Sequence, residues 1–437
     1  MRNSAIDGVR GRFLDFSESV EKRSDFDGAV RYVEDGLLLL KEGHIVWFGD
    51  WSEGRDQLLE DAHIHEYPDQ LIVPGFIDCH IHFPQAEIIA AYGEQLLEWL
   101  NNYAFPAEKQ YGDIAYSREM AEFFVAELLR NGTTTAAVFC TVHHQSAEAL
   151  FAAAQRRNMR IIAGKVLMDR NAPPDLLDTP EIAYDDSRML IEKYHNQGRL
   201  LYAVTPRFAP TSTPDQLAVA GQLMREYPDL YMQTHLSENK EEIQWVQELF
   251  PDRKSYLDVY EYFGLTGPRS IFGHCIHLED GEWKGLYDTD SVIAFCPTSN
   301  LFLGSGLFDL ERARKENVRV GVATDVGGGT SFSILTSLSE AYKIMQLQKQ
   351  KFSAIEALYM ATLGGAEALS LDHLLGNFEV GKEADFVVLD PAATVLQAKR
   401  SEKSETIVDL LFALMIMGDD RTVSHTYVDG RLVHKRE

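Results

Sequence analysis

The chain has 437 residues, 45% of them hydrophobic and 11% aromatic, enough to bury a large core as one big domain or two unequal ones. Its formal net charge of -26, from 41 basic and 67 acidic residues with no concentrated basic stripe, argues against a nucleic-acid or anionic-membrane surface. The opening stretch MRNSAIDGVRGRFLDF has no continuous apolar segment, and the longest apolar run, Leu410 to Met417, is too short to span a bilayer, so a cytoplasmic location is the default expectation.

In chain order, GLLLLKEGHIVWFGD reads as two apolar strands joined by a short turn at Lys41-Glu42-Gly43. The acidic stretch DAHIHEYPD follows, and its His63 and His65 read as the solvated face of a strand. Short β-rich runs then alternate with amphipathic helices. LIVPGFIDCH, TTTAAVFC, MRIIAGKVLM, LLYAVTPR, LYMQTHL, SIFGHCIH, SVIAFCP and RVGVATDVG are eight strand candidates. Between them, SREMAEFFVAELLRNG is ended by Asn131-Gly132, and TPDQLAVAGQLMREYP opens at Thr213-Pro214 and stops at Pro228. Eight such strands over roughly 300 residues fit the size of a closed β/α barrel with insertions. A doubly wound open sheet would show the same alternation.

Near the C-terminus, DFVVLD and HTYVDGRLVHK, with Asp429-Gly430 at the turn, again read as strands. A lone hairpin is only marginally stable, so the two ends are expected to pair into one small sheet domain, residues 1–73 with 376–437. The barrel, residues 74–375, would be inserted between them, with Pro74-Gly75 and Gly376 to Gly381 marking the junctions. The four cysteines, Cys79, Cys140, Cys275 and Cys296, are scattered with no Cys-x-x-Cys pair and suit reduced thiols in a core.

The polar residues at the C-terminal ends of the eight strands carry the chemistry. The first ends in His80 and His82, the fourth in Arg207, the fifth in His235, the sixth in His274 and the eighth in Asp325. In a barrel these ends converge on one mouth, and histidines with an aspartate suit zinc or a similar divalent ion. Side chains two apart on a strand share a face, so His80 and His82 can reach one ion, although a His-x-His pair alone is more often a polar strand face or a satisfied core histidine. Glu238 follows His235 by three residues and could lean over a metal-bound water or serve as a helix-start carboxylate. Arg207, a cation at a strand end, reads in so acidic a chain as a member of an ion pair. His143 and His144 read as a loop pair and Lys165 as structural. The three glycines after Asp325 could cradle phosphate, but the lysine of a P-loop is missing.

PGFIDCHIHFPQ, TPRFAPTS, QTHLSENKEE, FGHCIHL, CPTSNLFLGSG, GVATDVGGG, ATLGGAEAL and GNFEVGKEADFVVLD appear in that order and resemble the guanine deaminases of the amidohydrolase superfamily. The likeness runs over most of the chain; residues before about Gly28 and from Asp390 to Thr406 match least. It implies an α/β fold, a distorted (β/α)8 TIM barrel with a small β-sandwich from both termini. It also implies one zinc ion per chain on His80, His82, His235 and Asp325. The fourth strand, YAVTPR, has no lysine of the kind that bridges two metals in binuclear relatives.

The implied reaction is zinc-dependent hydrolytic deamination of guanine to xanthine and ammonia. Glu238 and Asp325 would move protons, and His274 would orient the attacking hydroxide. Gln85, Arg207, Phe208 and His274 would bind the purine. A homodimer is implied as well. Two alternatives remain at this level: a related aminohydrolase of a pterin, triazine or cytosine-like ring, differing mainly around Gln85 and Arg207, or a metal-binding relative without turnover.

Overall fold

The computed structural model describes residues 7–17, 26, 28–58, 62–92 and 95–437. Met1 to Ile6, part of the stretch read for a signal segment, lie outside the described residues.

Strands from both ends of the chain build one sheet. From the N-terminal side come β1 (Gly8–Phe16), β2 (Val30–Lys41), β3 (His44–Asp50) and β4 (Ile64–Pro74). Within the interior lie β5 (Phe76–His82), β6 (Thr133–Phe139), β7 (Arg160–Gly164), β8 (Val166–Leu167), β9 (Leu200–Pro206), β10 (Tyr231–Leu236), β11 (Ser270–His274), β12 (Val292–Phe295) and β13 (Arg319–Val322). The C-terminal side supplies β14 (Phe386–Leu389), β15 (Val423–Val428) and β16 (Arg431–Lys435).

The terminal strands run in the order β16-β15-β14-β4-β1-β2-β3. β14 from the C-terminal side is antiparallel to β4 from the N-terminal side, with Phe386 opposite Pro74. A bridge between His44 and Glu383 brings the β3 edge back to the segment leading into β14, so the sheet folds over on itself as a small sandwich. Val9, Phe13, Leu38, Ile72, Phe386 and Tyr427 are its buried core.

The interior strands are all parallel, in the order β5-β6-β7-β9-β10-β11-β12-β13. The barrel closes between its first and last strands. Asp325 N donates to His80 O at 2.9 Å, and His82 N donates to Val326 O at 2.9 Å. The buried Asp78 carboxylate adds a staple, accepting from Thr324 N at 3.1 Å and Thr324 Oγ1 at 2.5 Å. Burial pushes the Asp78 carboxyl up to about 6, against these hydrogen bonds. The order of strands is that of a closed barrel, not of an open doubly wound sheet.

Two of the expected strands are divided. LIVPGFIDCH breaks at Gly75 into the end of β4, which stays in the sandwich, and β5, which enters the barrel. Only a residue without Cβ fits there, since one would meet Thr134 Oγ1 at 2.1 Å. MRIIAGKVLM breaks at Lys165 into β7 and the two-residue β8, which pairs beside β9. Among the described residues no helix is long and apolar enough to cross a membrane.

Candidate active site

The lumen of the barrel is packed by small and β-branched side chains, including Ile77, Cys79, Ala137, Ile162 and Ala203. Along β5 this pattern would carry the next odd-numbered residue inward, but the register against β6 shifts between Asp78 and Ile81. Such an irregularity re-aims side chains. His80 falls inside the shift and His82 just past it, and the two meet at the mouth with their Nε2 atoms 3.1 Å apart.

Two more strand ends complete a cluster. His235 at the end of β10 brings Nε2 to 3.2 Å from His82 Nε2. Asp325, just past β13, sets Oδ1 3.2 Å from both His80 Nε2 and His82 Nε2. All four donor atoms lie within 4.8 Å of one another. His235 Nδ1 hydrogen-bonds Arg207 O at 2.6 Å; a carbonyl can only accept, so the proton sits on Nδ1 and the Nε2 lone pair faces the cluster. Burial holds the His82 imidazole neutral, its pKa lowered to about 3 despite Asp325, and lowers that of His235 well below its ordinary value. Burial opposes ionisation of Asp325, but the adjacent His80 and His82 imidazoles outweigh it and hold its pKa well below the usual carboxylate range. Converging imidazole lone pairs beside a carboxylate repel one another unless a cation sits among them, so this donor set fits a divalent ion. Cys296 also lies within reach of His80, His274 and Asp325, and burial raises its pKa well above the ordinary thiol value.

Glu238 stands beside the cluster because of how the next helix starts. Helix Lys240–Leu249 is capped by Asn239, whose side chain accepts from Glu241 N at 2.8 Å. The Glu242 carboxylate accepts from Asn239 N at 3.1 Å and Glu238 N at 3.0 Å. The helix-start carboxylate is therefore Glu242, and the Glu238 side chain is left free to point into the mouth. There it receives Ser305 Oγ at 2.9 Å and lies 3.4 Å from His274 Nε2. Burial, with the Asp325 charge adding to it, pushes the Glu238 carboxyl up to about 8 against the Ser305 hydrogen bond. His274, at the end of β11, has Asn300 Oδ1 2.9 Å from its Nδ1.

These groups face a cleft that is also lined by Gln85, Arg207 and Phe208 and roofed by Leu96, Trp99 and Leu100. Gln85 Oε1 accepts from Gly327 N at 3.3 Å and Gln85 Nε2 donates to Glu108 at 3.1 Å. The approach requires a glycine at 327, because a Cβ would meet Gln85 O at 2.5 Å. Arg207 Nη1 donates to both Glu108 oxygens, at 2.7 and 2.8 Å. Its two sequence-level readings are thus compatible: it is ion-paired, and it faces the cleft.

Glu108, Asn300, Ser305 and the roof of the cleft were not anticipated. Asn300 and Ser305 lie inside the resembling stretch CPTSNLFLGSG, which gave the only signal. Other candidates are elsewhere. His65 Nδ1 contacts Tyr427 Oη at 2.5 Å in the sandwich sheet, its ring 4.9 Å from that of His63. His143 precedes helix His144–Arg157 without a side-chain capping bond, and Lys165 is buried against Asp178 at 2.6 Å.

The amidohydrolase family model matches residues 71–433. The guanine deaminase of Escherichia coli (strain K12) is 57% identical over 431 residues, 99% of this chain and 98% of that protein. The solved structure of the E. coli guanine deaminase superposes with a TM-score of 0.98 at 57% identity, covering 99% of this chain and 100% of that one. The guanine deaminase from C. acetobutylicum, solved with guanine bound in the active site, is 27% identical with a TM-score of 0.87, covering 98% and 100%. With its closed barrel, its three-histidine and aspartate cluster and these likenesses over nearly the whole length, the chain belongs to the amidohydrolase family.

Proposed function

We propose that the chain is a guanine deaminase, which hydrolyses guanine to xanthine and ammonia with one zinc ion held by His80, His82, His235 and Asp325. The observation that carries this reading is one cleft in which the donor cluster, the Glu238 carboxyl and a Gln85–Arg207 pair face a common space. The whole-length similarity to the E. coli guanine deaminase supports it.

When bound, the ion supplies Lewis acidity, which lowers the pKa of water to about 7. The chain does the rest. Glu238, with a carboxyl that exchanges protons near neutral pH, takes a proton from the attacking water and returns it to the ring nitrogen. Asp325 assists the second transfer to the leaving amine. His274, its Nδ1 held by Asn300, directs Nε2 toward the attacking oxygen. Gln85 reads the purine edge with one donor and one acceptor, Arg207 donates to the ring carbonyl, and Phe208 provides an apolar wall. A ring lacking the carbonyl would leave the Arg207 donors unpaired, which is the physical basis for its rejection.

In this reading the protein is cytoplasmic and homodimeric, binds no nucleic acid, and does not associate with membranes. The assembly rests on the family resemblance and is tested by analytical ultracentrifugation. The activity is tested by following guanine-to-xanthine conversion in the ultraviolet, with chelator and with zinc restored. A metal-loaded protein inert toward guanine would overturn the assignment.

A further inference from the structure

Glu108 comes from no barrel strand. It sits in the helical turn Phe105–Glu108 of the segment that roofs the cleft, and it is fully buried. Among the described residues its carboxylate joins Gln85 to Arg207: Oε1 accepts from Gln85 Nε2 and Arg207 Nη1, and Oε2 accepts from Arg207 Nη1. Building on the guanine deaminase reading, we propose that Glu108 is a positioning residue that sets which face of the Gln85 amide and which edge of the Arg207 guanidinium are offered to the heterocycle.

The argument for Gln85 is one of hydrogen-bond polarity. A carboxamide can be turned end for end at almost no steric cost, and only its partners decide which end is which. Beside a carboxylate the end must be the NH2, because two oxygens repel. Beside the Gly327 N–H it must be the carbonyl. Glu108 and Gly327 select the same orientation from opposite ends of the amide, and without the carboxylate only the 3.3 Å bond from Gly327 N is left to hold it against exchange of the donor and acceptor offered to a purine edge.

For Arg207 the argument is one of commitment. Glu108 takes both hydrogen bonds at Nη1, and the Phe105 ring, from the same helical turn, lies 5.4 Å from the guanidinium carbon. Among the described residues Nη2 and Nε meet no protein acceptor, so they remain for a ligand carbonyl. Arg207 is 2% exposed, and a buried guanidinium without its counter-charge would be drawn toward the acidic groups at the donor cluster.

The test is Glu108→Gln, which preserves shape and removes the charge, with Glu108→Asp beside it. Wild type and variants are loaded with zinc, their metal content is measured, and kcat and KM are determined for guanine and for 2-aminopurine, which lacks the carbonyl. The expected result for Glu108→Gln is unchanged metal content and a guanine KM raised about 10- to 100-fold, the scale of a lost charge-assisted hydrogen bond. Its kcat changes much less, its preference for guanine over 2-aminopurine shrinks, and Glu108→Asp falls between. If Glu108 were only a structural counter-ion, the melting temperature would drop while KM and preference stayed at wild-type values, and that result overturns the proposal. A crystal structure of Glu108→Gln separates the two inferences. If the wild type does not turn over guanine, the functional reading fails on its own; Gln85 and Arg207 unmoved in the variant crystal would overturn the role of Glu108 independently.

Discussion

Asn300 Oδ1 lies 2.9 Å from His274 Nδ1, and this contact decides which nitrogen of the imidazole faces the donor cluster. An amide oxygen can only accept, so the ring proton is kept on Nδ1 and Nε2 is turned toward Glu238 and Asp325. Replacing Asn300 by alanine frees the ring to rotate and to change tautomer. The expected outcome is a kcat lowered roughly 10- to 100-fold, in the range found when a partner orienting a site histidine is removed. Metal content should be unchanged, which elemental analysis of the purified variant checks.

Glu238→Gln removes the proposed proton carrier and keeps the hydrogen bond from Ser305 possible. Steady-state kinetics should give a kcat lowered by about 10²- to 10⁴-fold, the usual contribution of general acid–base catalysis. KM should move little, because the Gln85 and Arg207 contacts are untouched. A variant with near wild-type kcat would assign the proton transfers to another group.

Much of this site was legible because two periodicities meet in it. Helix stops such as Asn131-Gly132 delimit eight strands in the sequence, and five of those strands end in His80 with His82, Arg207, His235, His274 and Asp325. The Nε2 atoms of His80 and His82 do meet, 3.1 Å apart, although the register shift between Asp78 and Ile81 takes in His80, so simple alternation along β5 is not what brings them together. The division of LIVPGFIDCH at Gly75 was hidden, since both halves are apolar and only pairing partners distinguish them. Glu108 was not legible for a different reason. Its segment carries no strand end and no motif, and where a covering turn docks is set by tertiary packing of Leu96, Trp99 and Phe105, not by local pattern.

Metal removal should both inactivate and destabilise the protein. The stripped cluster brings imidazole lone pairs and a carboxylate together without a compensating cation, and a ligand that binds only the folded state stabilises it by mass action. Chelator-treated protein is expected to melt at a lower temperature, with the shift reversed by added zinc. In Asp325→Ala zinc should restore neither the melting temperature nor activity.

A bulkier residue at 327 should act through Gln85. Gly327→Ala builds a methyl group 2.5 Å from the Gln85 carbonyl oxygen, which is backbone and cannot swing aside. The loop must retreat, and the Gly327 N–H that holds the Gln85 side-chain oxygen moves with it. The expected kinetic signature is a raised KM for guanine, resembling that of Glu108→Gln, with zinc content unchanged. A wild-type KM in this variant would mean that the loop hydrogen bond does not orient the amide.

Glu242 predicts a pH dependence of stability with a definite sign. Its fully buried carboxyl is pushed up to about 7 by burial and by the nearby Glu238 charge, against hydrogen bonds from Tyr256 Oη and Asn239 N. In the unfolded chain the group ionises near 4.5, so between about 4.5 and 7 the folded state holds a proton that the unfolded state has released. Fewer bound protons in the unfolded state mean that stability falls as pH rises through this window, and the loss is complete above it. The full span corresponds to a penalty on the order of 3 kcal/mol. In Glu242→Gln the amide oxygen can still accept the Glu238 and Asn239 N–H groups and the amide nitrogen can donate to Tyr256 Oη, but nothing titrates. The melting temperature of the variant relative to wild type should therefore rise between pH 5 and pH 7.5, at matched metal loading. A difference that stays constant, or shrinks, across that range would show that Glu242 is already ionised in the folded protein at pH 5, with its three hydrogen bonds outweighing its burial.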